Sequence, residues 1–146
     1  GELRGEFAAA PAGTVLANDA AGVYGSYTGS CTAPVLPVAN LQEVTPGEAE
    51  LWTTVLGTTA QPYTIQVERV TMTGSDPNRN LLIRVTDKRL LDATGGVVQG
   101  MSGSPIVQNG RLAAVLTHVL VNDPSRGYAI FATTMLEKAD AVASRK

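Results

Sequence analysis

Short runs in which apolar and polar residues alternate, separated by turn residues, dominate this chain. Glu2 to Ala8 alternates, Thr14-Val15-Leu16-Ala17 follows a Pro-Ala-Gly turn, and Gly22 to Tyr27 is brief and punctuated by glycine. Glu48 to Leu56 alternates around Leu51 and Val55, just after the turn signal Pro46-Gly47. Tyr63 to Thr73 directs Ile65 and Val67 inward, with Val70 and Met72 as further inward candidates. Leu81 to Val85, Leu112 to Val121 and Tyr128 to Phe131 read as three more strands. A period of two predicts a strand with one buried face. Thr28 to Asn40 carries Pro34 and Pro37, so an extended loop or an edge strand is expected there. Gly74 to Asn78 is a loop by composition.

Two segments break from this period. Asp87 to Ala93 sets Leu90 and Leu91 among charges and ends at Gly95-Gly96, which predicts a short helix starting near Asp87. Thr133 or Thr134 is placed to cap a final helix running to about Ser144. Many short strands with frequent turns predict a mainly β barrel or sandwich. No internal repeat or low-complexity linker divides residues 1–146, so one domain is expected.

Composition narrows the function. A chain of 146 residues is long enough to bury a real core. Its net charge of -2, with basic residues scattered apart from the pairs Lys88-Arg89 and Arg145-Lys146, argues against a nucleic-acid surface. No apolar run approaches the ~20 residues of a membrane helix, and no signal or transit peptide is visible. The abrupt start in strand-like sequence leads us to expect a fragment. The single cysteine, Cys31, excludes an internal disulfide and leaves the compartment open. A lone thiol is most often a small buried hydrophobe. One His and one Cys provide no metal-ligand spacing. Gly95-Gly96 lacks the lysine of a phosphate-cradling loop, so no cofactor is expected.

The richest stretch chemically is Gly100-Met101-Ser102-Gly103-Ser104-Pro105, followed by the apolar Ile106-Val107 and the two-residue turn Asn109-Gly110. A serine between two glycines on a tight turn suits a nucleophile. Glycine permits backbone angles that bring nearby amides to face a developing oxyanion. The run fits the chymotrypsin-like pattern G-x-S-G-G/S-P at every fixed position. Ser104 is the rival hydroxyl, but the pattern allows glycine or serine there, so it reads as a turn residue.

The chain also resembles the peptidase domain of the sporulation stage IV B serine peptidases, family S55. Thr86 to Leu91, Thr94 to Gln99, Gly100 to Pro105, Thr117 to Pro124 and Arg126-Gly127-Tyr128 carry the resemblance, as do Gly1 to Gly5 and Gly22 to Gly25. The resemblance implies a chymotrypsin-like double β-barrel, here mostly its C-terminal barrel, in a serine endopeptidase of sporulation signalling. It implies Ser102 as nucleophile, Asp87 fifteen residues before it as the acidic member, and the amides of Gly100 and Ser102 as the oxyanion hole.

In that family the general-base histidine lies upstream of the G-E-L-x-G word at which this chain begins. The fragment is therefore expected to lack its base and most of the first barrel, and to be inactive alone. Thr117 and His118 fall on the strand that would run beside the substrate and are candidate substrate contacts. The resemblance further implies a protein or peptide substrate, a PDZ domain and a missing N-terminal segment as partners. It also implies an extracytoplasmic location, between the membranes of the developing spore. Apolar surface left by a missing barrel would favour self-association.

Each assignment has a plainer reading. Asp87 before a short helix is a good N-cap, and Asp92 and Asp123 are weaker alternative carboxylates. His118, in the apolar run Leu116 to Val121, reads as a hydrogen-bonded core residue. A Cys31–His118 thiol protease has no motif behind it. A non-catalytic protein-binding module that keeps the fold is the second function the sequence allows.

Overall fold

The computed structural model describes residues 10–144, so the strand expected over Glu2 to Ala8 lies outside the described residues. The chain first forms a hairpin from β1 (Gly13–Asp19) and β2 (Gly22–Tyr27), which stands as its own two-stranded sheet. Asp19 closes its turn by accepting the Ala21 N–H at 2.7 Å. The proline-bearing stretch after it is irregular, and the expected edge strand reduces to one bridge between Val38 and Leu112. Proline cannot donate to a ladder, and here the Pro37 carbonyl instead accepts from Leu112 at 2.8 Å. Cys31 is exposed on this stretch, not buried as lone thiols usually are.

Six strands then close a barrel: β3 (Gly47–Thr53), β4 (Gln61–Val70), β5 (Leu81–Val85), β6 (Pro105–Gln108), β7 (Arg111–Leu120) and β8 (Asp123–Phe131). The order around the barrel is β3-β4-β5-β8-β7-β6, all antiparallel. It consists of two three-stranded meanders joined along two seams, β5 with β8 and β3 with β6. The second seam is short, pairing only Glu50 with Val107 and Leu51 with Ile106.

Alternation drives the assembly. Ala49 and Leu51 on β3, Tyr63, Ile65 and Val67 on β4, and Leu81, Ile83 and Val85 on β5 all point inward and are buried. Fully burying a side chain of this size contributes roughly 1.5–3 kcal/mol. Val70 only packs against this core, and Met72 lies beyond the end of β4, half exposed.

β8 begins five residues earlier than Tyr128, where its apolar pattern starts. Its first half is polar because it faces an ion network: Glu68 accepts from Arg84 at 2.5 Å and from Arg126 at 3.1 Å, tying β4, β5 and β8 together.

The two meanders are connected through α1 (Lys88–Thr94) and the serine turn. Asp87 caps α1 by accepting the Arg89 N–H at 2.9 Å. Gly95 ends the helix in the left-handed region, φ 74, with its N–H on the Leu91 carbonyl. A side chain is disfavoured at that angle. The last helix, α2 (Ala132–Ala143), starts directly from β8, so neither Thr133 nor Thr134 caps it. The N-cap position falls on Phe131, whose side chain is committed to the core.

Candidate active site

The turn from Gly100 to Ser104 is pinned at both ends. Met101 is buried and bonds its N–H to the Val98 carbonyl at 3.2 Å. Gly103 N–H reaches the Leu116 carbonyl at 2.8 Å, and Leu116 N–H returns to the Ser104 carbonyl at 2.9 Å. Gly100 and Gly103 have φ of 101 and 93, angles that other residues rarely adopt. Ser102 is thereby held exposed at the apex. Among the described residues, the amides of Gly100 and Ser102 have no hydrogen-bond acceptor. Two unpaired donors thus flank an exposed hydroxyl, and such donors can bind a negative oxygen where both face it.

The two serines point in different directions. Ser102 Oγ donates to the Thr117 carbonyl at 2.8 Å. Ser104 Oγ donates to Thr53 Oγ1 at 3.1 Å, toward the barrel.

β7 carries a bulge at Thr117, since Leu116 pairs with Ala129 and His118 with Tyr128. A bulge interrupts strict alternation and re-aims the side chains around it. His118 is accordingly exposed and lines the clefts at Ser102, contrary to the core reading of its apolar run. Thr117 Oγ1 lies 2.6 Å from the Asn78 carbonyl and 3.1 Å from that of Tyr128, and its one proton must serve these acceptors. Toward His118 Nδ1, at 3.0 Å, the threonine oxygen therefore accepts, so Nδ1 carries the proton and Nε2 is left for another partner.

Two clefts flank Ser102 and share Ser102, Leu116, Thr117 and His118. The larger, about 440 Å³, is completed by the hairpin turn at Asp19, by Asn78 and by Met135 of α2. Asn78 Nδ2 donates to the Ala20 carbonyl at 2.9 Å, and Lys138 donates to Asp19 at 2.6 Å, so this side is tied to the hairpin. Reading along the sequence missed Asp19, Asn78 and Met135, because only tertiary packing brings them to Ser102. The smaller cleft, about 250 Å³, lies between Val97 to Gln99 and the end of β7.

Asp87 lines neither cleft. Its Oδ1 accepts from Arg89 N (2.9 Å) and Nε (3.1 Å), and its Oδ2 from Thr64 N (3.0 Å) and Arg89 Nη2 (2.8 Å). Four donors fill the positions a carboxylate offers. Arg89 is the main cause holding this carboxyl well below the usual carboxylate range. Asp92 pairs with Lys88, and Asp123 accepts from Ser125; neither lines a cleft at Ser102.

The depressed value of Asp87 has a pH consequence. The stability it contributes is fully present above its unfolded value, near 3.9, and is lost as pH falls toward the lower folded value. The melting-temperature gap between wild type and Asp87→Ala should therefore be constant from pH 8 to 5 and shrink below about pH 4. A gap unchanged down to pH 2 in thermal scans would contradict this account.

Among the described residues, no cluster of side chains suits a metal ion, and no helix is long and apolar enough to cross a membrane. A family model described as SpoIVB peptidase S55 matches residues 1–136. No curated protein matches. Solved structures of Rv3671c from M. tuberculosis are similar in fold. The active-form protease is 19% identical with a TM-score of 0.58, over 89% of this chain and 58% of that one. A serine-to-alanine mutant in an inactive form is 16% identical with a TM-score of 0.57, over 90% and 65%. The inactive-form protease is 17% identical with a TM-score of 0.55, over 89% and 66%. The chain thus spans about two thirds or less of these relatives' length. The likeness supports a mainly β, chymotrypsin-like fold with a closed six-stranded barrel.

Proposed function

Since the chain belongs to the SpoIVB peptidase S55 family, we propose that it is the nucleophile-bearing part of a serine endopeptidase acting on a protein or peptide substrate. The observation that carries this reading is the exposed Ser102 hydroxyl beside the unpaired amides of Gly100 and Ser102. In the proposed reaction a base removes the Ser102 proton as Oγ attacks the scissile carbonyl. The two amides hold the resulting oxyanion. The C–N bond then breaks, the amine leaves with the proton from the base, and water hydrolyses the acyl-enzyme.

The base is proposed to come from outside this sequence. The one histidine here, His118, is bonded through Nδ1 to Thr117, while the Ser102 hydroxyl rests on the Thr117 carbonyl. Thr117 and His118 are proposed to contact substrate. Asp87 is proposed as the acidic member on the family's fifteen-residue offset. For that role its carboxylate must exchange the exposed Arg89 guanidinium for imidazole.

The exposed Val15, Leu16, Val23 and Tyr27 of the hairpin support contact with a further segment of the protein. An N-terminal segment and a PDZ domain, self-association of this chain alone, sporulation signalling and an extracytoplasmic site all belong to this proposal.

The Ser102 hydroxyl already donates to a backbone carbonyl, and this favours a second reading, a non-catalytic binding module. A fluorophosphonate probe separates the two. It should label Ser102 in the full-length protein rapidly and leave this 146-residue chain unlabelled. Labelling of neither would support the binding module. Rapid labelling of the isolated chain that disappears in His118→Ala would instead make His118 the base.

A further inference from the structure

We propose that Gly96 is a positioning residue for the hydrolysis: its bare α-carbon lets the Pro124 carbonyl close against it, and that contact fixes the direction in which the Gly100 amide faces. This rests on Ser102 as nucleophile and on the Gly100 and Ser102 amides as the oxyanion site.

The adjacent glycines Gly95 and Gly96 differ in what they require. Gly95, at φ 74, ends α1 beside open space, and a Cβ there would meet nothing within 4 Å. Gly96 is buried at φ 127. A Cβ on it would overlap the Pro124 carbonyl oxygen and stand 2.7 Å from the carbonyl carbon. Carbon atoms in contact are ordinarily about 3.5–4.0 Å apart, so an alanine here drives the two backbones apart by about 1 Å.

The Pro124 side is the anchored one. Asp123 pairs with Leu120 and Arg126 with Arg84, so Pro124 lies between two ladder positions. The Arg126 guanidinium also reaches Glu68 at 3.1 Å. Residues 96–104 belong to no strand or helix, so the segment leading to Ser102 is the one that gives way.

Displacement there reaches the oxyanion site through two hydrogen bonds. Val97 N–H donates to the Pro124 carbonyl at 2.8 Å. The Val98 carbonyl accepts from Met101 N–H at 3.2 Å, closing a turn that contains Gly100. Ser102 is followed by Gly103, which is pinned separately to Leu116 on β7. One amide thus rides on the Pro124 contact and the other on β7, and parting the two backbones turns them relative to each other. Thr94 supports the same arrangement, its hydroxyl 2.6 Å from the Gly96 carbonyl. A misplacement of about 1 Å at a reacting centre costs roughly 10²-fold in rate.

The test labels the full-length protein with a fluorophosphonate, whose attack by Ser102 also brings a negative oxygen to the two amides. Saturation kinetics separate the maximal labelling rate from probe affinity. Gly96→Ala should lower the maximal rate about 10²-fold with affinity unchanged, and should displace the Gly100 and Ser102 amide resonances in NMR spectra. Gly95→Ala loses only the cap angle. It should lower the melting temperature and leave the labelling rate and both resonances as in the wild type. Thr94→Val withdraws the hydroxyl without adding bulk and should slow labelling by about fivefold, the worth of one hydrogen bond.

A folded Gly96→Ala with a normal labelling rate, or a Gly95→Ala slowed as much, would overturn the proposal. Where Gly96→Ala does not fold, an unchanged rate and unchanged resonances in Thr94→Val would do so. A wild-type protein that is never labelled would sink the peptidase reading, while displaced resonances in Gly96→Ala would still support this one. Normal labelling in every variant would do the reverse.

Discussion

Ser102→Ala in the full-length protein should lower kcat by about 10⁶-fold, as loss of a nucleophilic serine does in other serine peptidases. The residual rate should reflect only the oxyanion amides and substrate binding, which remain worth roughly 10³–10⁴ over water. The fold should survive the change. Ser102 is exposed and makes one hydrogen bond, to the Thr117 carbonyl, and such a bond is worth about 1 kcal/mol net. The melting temperature should therefore fall by only a few degrees. Ser104→Ala makes the control: it removes the contact with Thr53, in the barrel, and should cost stability with turnover kept within an order of magnitude. Normal cleavage by Ser102→Ala with a dead Ser104→Ala would reverse the assignment.

Asp87→Asn in the intact protein should lower kcat by about 10⁴-fold with little change in KM, the loss seen when an amide holds a catalytic histidine in the wrong tautomer. Asparagine caps helices about as well as aspartate, so the substitution spares the α1 cap while removing the charge that Arg89 now pairs with. Steady-state kinetics beside a thermal melt separates the two roles. Near-normal turnover would leave Asp87 with its structural roles alone, the cap on α1 and the ion pair with Arg89.

The parts of this fold that could be read from the sequence are those in which inside and outside alternate cleanly. β3, β4 and β5 were legible because Ala49 and Leu51, then Tyr63, Ile65 and Val67, then Leu81, Ile83 and Val85 each recur at a period of two. α1 was legible because Asp87 and Gly95 punctuate it at both ends. The start of β8 was not, because its polar residues answer Glu68, a partner on another strand. His118 looked like core for a related reason: its apolar neighbours suggest an unbroken strand, and the bulge that turns it outward has no local signature.

The site divides in the same way. The Ser102 turn lies in one continuous stretch and announces itself through two glycines and a proline. The larger cleft is built from a hairpin turn, a loop and the last helix, and no periodicity connects Asp19, Asn78 and Met135. Asp87 was legible as a cap and as a family offset. Its complete engagement by Arg89 and Thr64 emerges only once β4 is packed beside it.

The two-pair seam between β3 and β6 bears on the order of assembly. Within each meander the strands pair with their neighbours in sequence, contacts that close small loops and form early. The seams join strands far apart in the chain, so their loop-closure entropy has to be met before any contact rewards it. Ser102 lies on the crossover between the meanders, and its turn is braced by β7 on one side and, through Ser104 and Thr53, by β3 on the other. A chain with its seams open thus lacks the Ser104–Thr53 brace, while the bonds from the turn to Val98 and Leu116 need only the second meander. The packing around Ser102 is thus expected to be complete only after the final closure of the barrel.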